Sequence, residues 1–206
     1  MSVARVQKLE WPEEEALMSA PVKKRLLTID EYRRMGEAGI FHEDDRVELI
    51  RGEIYEMSPI GSRHTGCVRQ LNQILNRRVG SHGIVDVQNP VCLEQQQSEP
   101  QPDLAVLRHR NDFYRSATPG PGDTILVIEV SDSSLAYDRK VKIPLYAESG
   151  IPEAWIADLE GETVIVYRQP SPEGYREMRT FRRGETVCAE ALPELSVSVN
   201  EILGEQ

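Results

Sequence analysis

The chain has 206 residues, of which 39% are apolar and 14 are glycine. That length fits one domain with a tail, and that composition excludes a wholly disordered chain. Its 24 basic and 34 acidic residues leave a net charge of −10, which excludes an indiscriminate nucleic-acid coat, because phosphate binding needs positive surface at least locally. An enzyme that holds cations beside a phosphate stays compatible with it. Cys67, Cys92 and Cys188 are far apart and show no CxxC spacing. Neither a disulfide framework nor a zinc knuckle is indicated, and a reducing compartment is the simple reading. The longest apolar runs, such as residues 124–130, fall well short of the roughly 18 residues of a membrane span. The first 25 residues lack the apolar core of a signal peptide, so a soluble cytoplasmic protein is expected.

Residues 1–25 mix both charge signs, contain Pro12 and Pro21 and follow no period. They predict a flexible arm before a single domain spanning 26–206. Thr28 with Glu31 three residues later has capping-box spacing, and Ile29, Tyr32 and Met35 form one helical face that Gly36 or Gly39 ends. In RVELIRGEIYEM two short alternating runs flank Arg51-Gly52, which predicts a hairpin. Residues 62–79 carry a helical stripe of Val68, Leu71, Ile74, Leu75 and Val79, closed by Gly80. That segment holds Arg63, Arg69, Arg77 and Arg78 and no acid.

Residues 84–87 and 91–93 predict short strands separated by Pro90, and 94–101 a polar loop. Residues 103–107 predict a strand entered through Pro102. After a Gly/Pro loop, residues 124–130 are almost continuously apolar and predict a central strand buried on both faces. Residues 138–149 predict a helix ending at Gly150, with Pro144 in its first turn or at a kink. Strands are predicted at 154–158, 163–168 and 175–181, before a tail at 197–203. The pattern is an α/β mixture with strands packed on helices.

Three pieces carry chemistry. Asp103 sits at the mouth of a strand, Glu129 is the one acid in the apolar strand, and Asp138 and Lys142 follow four residues apart. A charge in a buried strand is costly unless it is paired or bound to a metal. Two carboxylates on neighbouring strands suit Mg²⁺ or Mn²⁺, and a nearby lysine can stabilise phosphate charge or orient a water. The spacing fits equally a structural Glu129–Lys142 ion pair with Asp103 capping a turn.

The ordered pieces PxPDLAVL, ILVIEVSDSS, DRKVKIPLYAESGIPEAWIAD and VELIRGEIYEMSP resemble the Uma-type "putative restriction endonuclease" family of the PD-(D/E)XK nuclease superfamily. The resemblance runs from about Leu27 to Leu203. It implies a restriction-endonuclease-like α+β fold: a central mixed β-sheet flanked by helices, with an N-terminal hairpin and additional C-terminal strands. It also implies metal-dependent phosphodiester hydrolysis. Asp103 matches the PD aspartate and Glu129 the (D/E) position. Position 131, where the superfamily has its lysine, is Ser131. The family's D-x-x-x-K piece points instead to Lys142, after Asp138. Lys140 lies two positions off, roughly 200° around a helix.

The resemblance implies Asp103, Glu129 and the Val130 backbone carbonyl as holders of Mg²⁺, or of Mn²⁺. Further candidates have plainer readings beside them. Glu48 adds a carboxylate or is an outward strand residue. His64 touches a metal water or phosphate, or is a surface histidine at a helix start, the reading its position favours. Arg63, Arg69, Arg77 and Arg78 face phosphates or form a solvated helix face. Tyr146 and Trp155 read as core. Ser131, Ser133 and Ser134 lack the elbow and histidine partner of a nucleophilic serine.

The leading expectation is a Mg²⁺-dependent endonuclease acting on DNA, as a homodimer. The alternatives are a nuclease-fold binding or regulatory protein without catalysis, and a hydrolase of another phosphodiester or nucleotide. The last would have a closed pocket in place of an open basic groove.

Overall fold

The fold was obtained as a computed structural model, described for residues 23–204 apart from Glu43, Ser58 and Ile60. Most of the expected N-terminal arm, residues 1–22, therefore lies outside the described residues. Helix α1 (Ile29–Glu37) opens with the capping box its sequence predicts. The Glu31 amide donates to Thr28 Oγ1 at 3.2 Å, and the Thr28 amide donates to Glu31 Oε2 at 3.0 Å.

Strands β1 (Val47–Ile50) and β2 (Glu53–Glu56) form the predicted antiparallel hairpin. Its two turn residues, Arg51 and Gly52, have φ of 50° and 76°, the left-handed pair that suits a two-residue hairpin. A Cβ at Gly52 would also lie 2.7 Å from Leu26 Cβ, so the position needs glycine for space as well as for backbone. The Glu99 amide donates to the Leu49 carbonyl at 2.7 Å and ties this hairpin to the loop that leads to Asp103.

Helix α2 (Ser62–Val79) buries His64, Cys67, Val68, Leu71, Leu75 and Val79, a stripe at helical spacing. It packs on a six-stranded sheet of β3 (Gly83–Val87), β4 (Leu104–Arg108), β5 (Thr124–Ser131), β6 (Glu153–Asp158), β7 (Thr163–Ser171) and β8 (Gly174–Arg182), in that spatial order. Only β5 and β6 run parallel. The strand expected at residues 91–93 does not form. Those residues are buried, but their amides go to loop carbonyls, Val91 to Pro100 at 3.0 Å and Cys92 to Pro119 at 2.8 Å. Among the described residues the sole bridge there is Leu93 with Ser98.

Every residue of β5 is buried. Leu126, Ile128 and Val130 join one core with the α2 stripe and Trp155, while Val127 joins a second core with Ile143, Leu145 and Tyr146. Strand side chains alternate, so Glu129, two residues from Val127, belongs to the second face. Because β5 and β6 are parallel, the chain between them must cross back over the sheet. It does so as one helical stretch: α3 (Leu135–Tyr137), a wide π turn (Asp138–Lys142) and α4 (Ile143–Glu148). The stretch begins earlier than residue 138, where the sequence places its start. The π turn lies directly ahead of Pro144, which has no amide to continue the regular ladder. Topology thus lays Lys142 and Tyr146 over Glu129.

Beyond the sheet, β9 (Thr186–Cys188) and β10 (Ser196–Ser198) pair with each other alone. Helix α5 (Val199–Leu203) then docks on α2, where Gln70 Nε2 donates to the Glu201 carbonyl at 2.7 Å. Among the described residues no helix is long and apolar enough to cross a membrane.

Candidate active site

Asp103, Glu129 and Lys142 line one cavity of about 370 Å³, together with Glu48, His64 and Asp138. Three separate segments bring them there. Lys142 Nζ donates to Glu129 Oε1 at 2.8 Å and to the Gln101 carbonyl at 3.0 Å, and lies 3.6 Å from Glu48 Oε2. Tyr146 OH also donates to Glu129 Oε1, at 2.6 Å. Glu48 is fixed by Tyr137 OH at 2.9 Å and by the Gln101 amide at 3.1 Å. Asp103 Oδ2 accepts from the Val130 amide at 2.9 Å and meets His64 Nε2 at 2.9 Å. Its Oδ1 accepts from Gln88 Nε2 at 3.2 Å.

The plainer readings of two residues fail here. His64 is 8% exposed and Glu48 is fully buried. His64 is drawn inward because α2 begins over the strand ends, within reach of the Asp103 carboxylate. Glu48 is drawn inward because the hairpin folds over the loop that carries Gln101. Asp138 is buried and accepts from Ser131 Oγ and Ser134 Oγ, both at 2.7 Å. Ser131 and Ser134 therefore support this acid. Lys140 is exposed. Tyr146 and Trp155 are core, as read, although each hydroxyl or indole N–H finds a buried carboxylate, Glu129 and Glu153.

The arginines of α2 do not line the cavity. Arg63 is paired with Asp132 at 3.0 Å and Arg78 with Glu201 at 2.6 Å. Arg69 and Arg77 are exposed. Residues 63 and 77 are fourteen apart, about 21 Å along a helix. Tyr55, Tyr137, Gln88, Gln101 and Arg46 also line the cavity without having been marked by the sequence. The one signal that was present is the Lys142–Tyr146 spacing, which puts two polar heads on one helical face.

Electrostatics separates the two central carboxylates. Burial works to raise Asp103, but the His64 contact and the Val130 amide outweigh it and hold the acid below its ordinary range. Burial pushes Glu129 up to about 8, helped by Asp138 and Asp103 and opposed by Lys142. Burial works to discharge Lys142, yet Glu129, Glu48 and Asp138 outweigh it and keep the ammonium charged beyond the ordinary lysine range. Environments that drive neighbouring carboxylates apart are a recurring mark of acid–base sites.

Among the described residues no three His, Cys, Asp or Glu side chains form a metal cage by themselves. Mg²⁺ does not require one, since it is commonly held by one or two carboxylates plus waters and substrate phosphates. The donors present fit that pattern. Four buried acids, Glu48, Asp103, Glu129 and Asp138, face one buried lysine, so acidic groups outnumber the base and a bound cation would draw off the proton that burial keeps on Glu129. Among the described residues, Glu129 Oε1 accepts from both Tyr146 and Lys142, and Oε2 has neither of these contacts. Asp103 Oδ1 has a single long contact. His64 Nδ1 is buried with no hydrogen-bond partner.

The model of the Uma2 family, described as "Putative restriction endonuclease", matches residues 29–200. Among solved structures, a "putative nuclease belonging to DUF820" from Anabaena variabilis superposes with a TM-score of 0.67 at 17% identity. The match covers 86% of this chain and 97% of that one. It bears on the fold alone. No curated protein matches.

The raised Glu129 gives a signed prediction. The folded state keeps its proton up to about pH 8, whereas the unfolded chain releases it near 4.5. Glu129 therefore contributes stability below pH 4.5 that is lost as pH rises toward 8, with a slope approaching about 1.4 kcal/mol per pH unit. Urea unfolding without metal across this window will show that decline in wild type and a flatter profile in Glu129→Gln. Parallel profiles would contradict the assignment.

Proposed function

Since the chain belongs to the Uma2 family, we propose that it is a divalent-metal-dependent endonuclease that hydrolyses DNA phosphodiester bonds. Asp103 and Glu129 hold Mg²⁺ or Mn²⁺, with the Val130 backbone carbonyl as a further donor, and Lys142 is the fixed cation beside them. The observation that supports this reading is the meeting of these side chains, from three separate segments, in one cavity with an excess of carboxylate. A bound divalent cation supplies Lewis acidity toward a phosphoryl oxygen and makes water more acidic.

The protein's own residues have separable parts. Lys142 acts as a charge and not as a base. Its ammonium donors are directed at Glu129, the Gln101 carbonyl and Glu48, so it stabilises negative charge on a phosphate without accepting a proton. Tyr146 and Lys142 fix one oxygen of Glu129, a residue that lines the cavity. His64 and the Val130 amide fix one Asp103 oxygen in the same way. Outer hydrogen bonds of this kind set the orientation of metal-holding groups. Glu48, held by Tyr137, completes the acidic wall. Asp138, bridged to Ser131 and Ser134, adds to the field that keeps Lys142 charged.

The cell compartment that fits is the reducing cytoplasm, where the free thiols Cys67, Cys92 and Cys188 stay reduced. The working unit is a homodimer in this reading. Strand β8 is one of the two outer strands of the sheet, and its residues 176–180 are exposed, so a second copy can pair there. Sedimentation equilibrium is expected to give twice the chain mass, and a monomer at micromolar concentration would remove the dimer.

Cleavage of end-labelled DNA in Mg²⁺ or Mn²⁺ tests the activity. Lys142→Met is expected to lower the rate about a hundredfold or more, the usual loss when one charge-stabilising group is removed. Asp103→Asn is expected to abolish both cleavage and the metal-induced rise in melting temperature that mass action gives the wild type. A wild type that gains stability with metal yet cuts nothing would leave a binding or regulatory module.

A further inference from the structure

The carboxylates of the site are nearly sealed from solvent, Glu48 at 0%, Glu129 at 3% and Asp103 at 9% exposure. A phosphate must enter the cavity to reach them. A DNA duplex is a stiff rod whose approach depends on a broad positive surface. Among the described residues, Lys142, Arg46 and His64 are the only basic side chains lining this cavity, and the whole chain is at −10. A single strand can thread such an opening, with unstacked bases free to bind elsewhere on the wall.

The wall offers such a place. Tyr55, on β2, is 36% exposed and lines the cavity. Its ring lies against Tyr137, with centroids 5.7 Å apart and planes tilted by 45°. Tyr137 in turn donates its hydroxyl to Glu48 Oε1 at 2.9 Å. One aromatic ring is thus half open to solvent, while its neighbour is anchored on the acidic wall. Nucleobases stack on exposed aromatic rings of this kind, and duplex bases are unavailable until they are unstacked. Resting on the nuclease reading of the same cavity, we propose that the substrate is single-stranded DNA, with a base beside the scissile phosphate stacked on Tyr55.

The test uses the full chain and a 12-nucleotide fluorescein-labelled DNA, single-stranded or as a blunt duplex of the same sequence. Fluorescence anisotropy in Ca²⁺ measures binding, and cleavage in Mg²⁺ is followed on the same two DNAs. The single strand is expected to bind at least about tenfold tighter than the duplex. Tyr55→Ala should weaken single-strand binding by about tenfold, within the range of one lost base–aromatic stack, and Tyr55→Phe should restore it, because the ring is kept. Circular dichroism controls for folding. Duplex binding equal to or tighter than single-strand binding would overturn the proposal, and so would Tyr55→Ala binding like wild type. Metal-dependent cutting that prefers the duplex would overturn the single-strand assignment and leave the nuclease reading standing. Tyr55-dependent binding of the single strand with no cutting of either DNA would do the reverse.

Discussion

One buried ammonium organises the site. Lys142 is 3% exposed and sits between Glu129 at 2.8 Å and Glu48 at 3.6 Å. Without it those carboxylates would be buried side by side with no counter-charge, an arrangement that costs several kcal/mol when one partner of a buried pair is removed. Its third contact, the Gln101 carbonyl, locks the loop that delivers Asp103. The hairpin, the central strand and the crossover helix are therefore all joined at one nitrogen atom. The π turn that ends at Lys142 lets the helix pass Pro144 and still present this side chain to the sheet.

Lys142 leaves the region acidic, and that remainder gives the cavity its chemistry. A structural ion pair and a catalytic site are not competing descriptions here. Glu129 holds Lys142 and Tyr146 through one oxygen, Oε1, and does not use the other for them. Asp103 is held ionised by His64 and the Val130 amide. A divalent cation entering this cavity would meet carboxylates already oriented by neighbours that never leave the protein. The same excess of acidic groups disfavours long-range attraction to a duplex, and the α2 arginines do little to offset it, since Arg63 and Arg78 already serve Asp132 and Glu201.

Much of this was legible in the sequence. The run at 124–130 is apolar enough to be a central strand, and its single acid stands out because a lone carboxylate there needs a partner. The α2 stripe, the Thr28–Glu31 cap and the Arg51-Gly52 turn follow from local spacing and backbone chemistry alone. A Glu129–Lys142 pair was already one reading of the spacing, and the family resemblance added a catalytic sense to it. Less legible were the positions set by packing between distant segments. His64 looked like a surface histidine because nothing near it in sequence says that Asp103 lies below. Glu48 alternates as an outward residue would, and only the bridge from Leu49 to Glu99 turns it inward. Residues 91–93 are as apolar as a strand, yet their amides are claimed by loops.

The account is tested most directly by diffraction from crystals soaked in Mn²⁺, with data collected at the manganese edge. It predicts one anomalous peak between the carboxylates of Asp103 and Glu129, with Lys142 still paired to Glu129. Manganese bound elsewhere, or no peak at millimolar Mn²⁺ with Lys142 and Glu129 unmoved, would contradict it and leave the buried pair as structure alone.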